Sequence, residues 1–159
     1  MSEVAPPTEA LAAALGQPLP PDAVERLATL VTLLRDWDRG MNLVGEREPE
    51  ALWLKHVADS LLTARAIGAP PACLADVGSG NGLPGLVLAS VWPECPVTLV
   101  ESSARRCEFL EYAAQRLGLA AVSVVAARAE DAGRRPELRE ALALVTARRV
   151  APLAVLLEY

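Results

Sequence analysis

Asp76-Val77-Gly78-Ser79-Gly80-Asn81-Gly82-Leu83-Pro84-Gly85 places four glycines in ten residues, between two apolar runs. The run before it, Cys73-Leu74-Ala75, reads as a buried strand. The run after it, Leu86-Val87-Leu88-Ala89, reads as the body of a helix. A strand, a glycine-rich turn and a helix bring backbone N–H groups close to a nucleotide-like ligand. Glycine suits the turn because a Cβ would block close approach and because such turns visit positive φ. On this reading Gly78, Gly80 and Gly82 bind a cofactor. A purely structural glycine turn is the plainer reading of the pattern alone.

The stretch fits two patterns. Gly80-x-Gly82-x-x-Gly85 matches a dinucleotide turn, but its first glycine falls several residues after the strand. Asp76-x-Gly78-x-Gly80-x-Gly82 begins with an acid on the strand itself, and it resembles the first motif of class I S-adenosylmethionine-dependent methyltransferases. A second run, Val97-Thr98-Leu99-Val100-Glu101, is β-branched and apolar and ends in a carboxylate. Glu101 stands about 20 residues past the glycines, where a nucleotide-binding βαβ unit places an acid for the ribose hydroxyls. A carboxylate accepts from two hydroxyls at once. A solvated strand end is the alternative for Glu101 taken alone.

The chain of 159 residues is long enough for one domain with a sizeable core. Hydrophobic residues make up 52%, which places it among globular chains rather than disordered ones. No apolar run approaches the roughly 20 residues of a membrane span. The Met1–Pro7 stretch lacks the basic start and apolar centre of a signal peptide. A cytoplasmic protein is therefore expected, with no membrane partner. Cys73, Cys95 and Cys107 are odd in number and lack CxxC spacing, so each reads as a buried thiol. With one histidine in the chain, no metal site is expected. The net charge of −5 argues against nonspecific coating of nucleic acid. It allows a local basic face, and Arg134-Arg135, Arg139 and Arg148-Arg149 gather in the last third. Arginine suits bidentate phosphate contact, although solvated arginines in a biased composition are the simpler reading.

Residues 1–7 read as a disordered tail and residues 8–69 as a helical extension. The extension holds a helix over 8–15 capped by Thr8, a second from Asp22 to about Trp37, and a third from about Pro49 to Ile67. His56 falls on the third, where a single histidine is usually a hydrogen-bonded core residue. Residues 70–159 then alternate strands (about 73–77, 97–101, 121–125 and 142–147) with helices (about 83–91, 103–117, 136–140 and from 152). That order predicts a parallel α/β sheet with right-handed crossovers. The third strand leads into Ala127-Arg128-Ala129-Glu130-Asp131, at the sheet edge where ligands sit in such folds. Glu130 there either accepts from an adenine amine or stands as an ordinary exposed acid.

Taken together, several segments resemble one family, the bacterial 16S ribosomal RNA guanine-N(7) methyltransferases, also called glucose-inhibited division protein B. They are Asn42-Leu43, Lys55-His56-x-x-Asp59-Ser60-Leu61, the Asp76–Ala89 stretch with its Pro84-Gly85, Leu99-Val100-Glu101-Ser102, Arg105-Arg106-x-x-Phe109-Leu110, Arg128-Ala129-Glu130 and Thr146-Ala147-Arg148-x-Val150-Ala151-Pro152-Leu153. The resemblance runs from about residue 20 to the end. It implies a class I Rossmann-like methyltransferase with S-adenosyl-L-methionine as donor. The acceptor it implies is a guanine of 16S ribosomal RNA, free or in the small ribosomal subunit. Donor contacts carried over by motif fall on Gly78, Leu83, Ala129, Glu130 and Arg148, and Arg148 is the expected catalytic residue. His56 and Asp59 belong to a matching motif without assigned chemistry. The chain departs from the family at Ala143, where Asp is usual, and at Arg149, where Ala is usual. Class I methyltransferases usually have seven strands and four are counted here, so the chain reads as C-terminally truncated. A truncated donor-binding relative without activity is the alternative reading. A nicotinamide oxidoreductase is disfavoured because Asp76 precedes the turn and no Tyr/Lys proton relay is visible.

Overall fold

The computed structural model describes residues 5–41, 48–148, 150 and 153–156. Asn42-Leu43, Arg149, Ala151-Pro152 and the ends of the expected tail and last helix lie outside the described residues. Among the described residues the sheet has four strands, all parallel, in the order β3-β2-β1-β4. These are β1 Leu74–Val77, β2 Val97–Glu101, β3 Val122–Ala126 and β4 Leu144–Ala147. Leu74 pairs with Val97 on one side and with Leu144 on the other, so the apolar starts of the three strands align. The α/β architecture expected from the sequence is the one observed.

The helices are α1 Thr8–Leu15, α2 Pro21–Met41, α3 Pro49–Ala51, α4 Ala58–Ile67, α5 Gly85–Val91, α6 Ala104–Arg116, α7 Ala129–Ala132 and α8 Leu153–Leu156. A π-helical stretch, Leu52–Val57, joins α3 to α4. The connections β1–α5–β2 and β2–α6–β3 step in one direction along the sheet, so right-handed crossovers put α5 and α6 on one face. α2 packs on both of these helices, and α4 packs on α5. One apolar cluster accordingly runs from Leu11 and Leu27 through Leu61 and Leu86 to Leu99 and Leu110. Trp37 closes it, with its ring 5.3 Å from Phe109 and 5.4 Å from Tyr112. Among the described residues the opposite face, over β1 and β4, is covered only in part. A cavity of about 460 Å³ lies there against Val77, Val145, Leu138 and Leu142.

Several local expectations are corrected. Pro7, not Thr8, flanks α1, and its carbonyl accepts from Leu11 N–H, so residues 5–7 are seated on the helix start. α2 begins one residue before Asp22, because Pro21 has no N–H to lose at a first helical position. It continues past Trp37 to Met41, since a glycine inside a helix costs only about 1 kcal/mol and the Trp37 contacts hold the preceding turn. The single helix expected over Pro49–Ile67 is broken by the π stretch, where Ala58 N–H reaches back five residues to the Trp53 carbonyl. Residues 136–140 form turns rather than a helix. Leu138 and Ala141 N–H bond three residues back, and Glu140 takes φ +57°. The short helix α7 was not foreseen. Among the described residues no helix is long and apolar enough to cross a membrane.

Candidate functional site

Asp76 is 1% exposed at the carboxyl end of β1. One carboxylate oxygen accepts from Gly85 N–H at 3.2 Å, and the other accepts from the Thr146 hydroxyl at 2.8 Å. Burial pushes its pKa up to about 6, opposed by those hydrogen bonds. Asp76 thus ties the end of the glycine turn to β4. The turn is also pinned to β2, because Gly78 and Ser79 N–H both donate to the Val100 carbonyl, at 2.8 and 3.0 Å. Gly78, Gly80 and Gly82 take φ of +67°, +56° and +81°, as the sequence predicts for such a turn.

Glu101 ends β2 at 5% exposure. Its Oε2 accepts from Gly80 N–H at 2.9 Å and its Oε1 from Ser103 N–H at 2.8 Å, at the start of α6. Each carboxylate oxygen carries a further lone pair. The carboxylate is therefore fixed by backbone and still able to accept from a ligand. Glu101 shares a cavity of about 160 Å³ with Gly78, Val100, Ala127, Ala129 and Glu130. This is the carboxyl edge of β1, β2 and β3, where open α/β sheets bind ligands. The space a Cβ on Gly78 would need is filled by a Val150 methyl group, so only glycine lets the two close together at that wall. Glu130 accepts from Arg128 Nε at 2.7 Å, and that bond holds its carboxyl below the usual range. A buried acceptor for hydroxyls, a second acid and a glycine wall together suit a ribose and an amine-bearing base.

The other site residues expected from the sequence lie elsewhere around the turn. Gly82 faces the core, where a Cβ would meet Leu86 and Leu110. Leu83 is 4% exposed within the apolar cluster. Gly85 closes on Leu99 and Asp76. Arg148 follows β4, on the far side of the turn from Glu130, and its Nη1 donates to Asp59 Oδ2 at 2.6 Å. Sequence reasoning missed two links, Thr146 to Asp76 and Asp59 to Arg148. Both partners of each stood in quoted motifs, but nothing in the sequence pairs residues 70 and 89 positions apart. Among the described residues no three His, Cys, Asp or Glu side chains gather as a metal site.

A family profile described as rRNA small subunit methyltransferase G matches residues 23–159. The chain belongs to the rRNA small subunit methyltransferase G family. Among its relatives, the protein of that name from Roseiflexus castenholzii is 43% identical over 136 residues, covering 86% of this chain and 58% of the relative. That from Halorhodospira halophila is 45% identical over 137 residues, covering 85% and 61%. That from Desulfitobacterium hafniense is 43% identical over 138 residues, covering 87% and 57%. The chain thus spans about three-fifths of the length of the curated relatives it matches. Membership in the rRNA small subunit methyltransferase G family agrees with the resemblance read from the motifs. The same membership gives no support to the oxidoreductase alternative.

Proposed function

We propose that this chain binds S-adenosyl-L-methionine at the cavity beside Glu101 and methylates N7 of a guanine in 16S ribosomal RNA, working in the cytoplasm. The observation carrying the donor assignment is Glu101. It is a buried carboxylate held by Gly80 and Ser103 N–H, and it opens onto a cavity walled by Gly78. It would accept from the ribose hydroxyls, and Ala129 and Glu130 would border the adenine. The rRNA acceptor rests on the family.

The donor supplies an electrophilic methyl on a positively charged sulfur. Guanine N7 has an in-plane lone pair and no proton to lose. In transfer to N7 the C–S bond would break in line as the N7–C bond forms, which would leave a neutral thioether and place the positive charge on the base. No general base is needed, so the protein's task is alignment and electrostatic fit. Arg148 stands at the seam between the turn and β4, where donor and acceptor would meet. The test is incubation with donor and small-subunit RNA, followed by nucleoside analysis for 7-methylguanosine. Its appearance supports the proposal. Donor binding without transfer to either free RNA or the assembled subunit would reduce the chain to a donor-binding module.

A further inference from the structure

We propose that Asp59 is a positioning residue for the donor site, one that holds the Arg148 guanidinium ready for the carboxylate end of the donor. The inference rests on the donor-site reading above and goes beyond it, since Asp59 lies in α4, outside the nucleotide-binding half. Three observations carry it. Asp59 and Arg148 are joined by one short charge-assisted bond, Nη1 to Oδ2 at 2.6 Å. The bond uses one corner of the guanidinium and leaves the remaining N–H donors in their fixed fork, the geometry that accepts a second carboxylate. The strand order then sorts the donor's ends. Glu101 ends β2 and Glu130 follows β3, both on one side of the glycine turn, whereas Arg148 follows β4 on the other. A nucleoside seated against Glu101 and Glu130 therefore directs its amino-acid end toward Arg148.

The pair is poorly suited to a stabilising role. The Arg148 and Asp59 side chains are 33% and 54% exposed, and ion pairs so open to water add little to folding. Holding a long side chain in one rotamer lowers the ordering cost of ligand binding. It also couples α4, and with it the Lys55-His56-x-x-Asp59 motif, to the sheet.

The test is calorimetric titration of the whole chain with S-adenosyl-L-methionine and with 5′-methylthioadenosine, which keeps the nucleoside and lacks the amino acid. Asp59→Asn is expected to raise the donor Kd about tenfold, the scale of coupling between residues in contact, with the thermal midpoint unchanged. The methylthioadenosine Kd should not move, and Asp59→Glu should recover much of the loss. In an Arg148→Ala background Asp59→Asn should have no further effect. An unchanged donor Kd in Asp59→Asn, with a raised one in Arg148→Ala, would overturn the role of Asp59 and leave the donor site standing. Equal weakening of both ligands, or additive losses in the double variant, would also overturn it. Failure of the unaltered, folded chain to bind the donor would overturn both readings together.

Discussion

Asp76 shows how one buried side chain sets a pH dependence. Unfolded, its carboxyl ionises near 3.8; folded, burial delays ionisation to about 6. Between those values the folded state holds the extra proton, so this group favours folding at low pH, and its contribution is lost as pH rises through about 6. The difference is about 3 kcal/mol. Asp76→Asn removes it, because an amide can accept from Gly85 N–H and donate to Thr146 Oγ1 without ionising. Urea denaturation from pH 4 to pH 7 should show the variant gaining stability on the unaltered chain by that amount, and parallel curves would contradict it. The same change from acid to amide has the opposite effect on stability at Glu101. In Glu101→Gln one N–H of the amide must face either Gly80 N–H or Ser103 N–H, at a cost of about 1–3 kcal/mol. Donor affinity should fall with stability there. Arg148→Ala should cut turnover far more than it lowers the thermal midpoint, and unchanged turnover would exclude Arg148 from the reaction.

The glycine turn is the element on which strands and site converge, and its glycines do different jobs. Gly82 combines φ +81° with side chains of Leu86 and Leu110 where a Cβ would sit, so Gly82→Ala should cost about 2–4 kcal/mol. Gly80 has positive φ but a nearest neighbour at 3.7 Å, and Gly80→Ala should cost only about 1–2 kcal/mol. Equal midpoint shifts in thermal melts would show that packing does not separate them. This division was invisible in the sequence, where both are merely glycines of one motif. What was legible there was period and punctuation. Val97–Glu101 matched residue for residue, because a β-branched run between a proline and two serines leaves little choice. The π stretch at Leu52–Val57 was not legible, since its apolar positions continue a helical pattern and only the bond from Ala58 N–H to the Trp53 carbonyl sets it apart. The site followed the same rule. The place of Glu101 beside the glycine turn was legible in its spacing, whereas the partners of Asp76 and Arg148 depend on which strand lies beside β1.

Across the described residues, the helices before β1 and the α/β part that follows share one core. Leu27 of α2 and Leu110 of α6 lie in the same apolar cluster, and Arg26 of α2 donates to the Ser90 carbonyl of α5 at 3.2 Å. Unfolding should therefore be a single transition, with far-ultraviolet dichroism and tryptophan fluorescence coincident. Leu27→Ala should lower both midpoints together, at a cost of about 2–5 kcal/mol. Separate transitions would show that the two parts fold independently. Calorimetric titration of the folded chain with S-adenosyl-L-methionine asks whether the carboxyl edge of the sheet is a donor site. The expected result is saturable binding that is lost in Gly78→Asp, whose side chain would collide with Val150 and reshape that wall of the cavity. A chain that is folded by circular dichroism and takes up no donor, or a Gly78→Asp variant that binds as well as its parent, would contradict it.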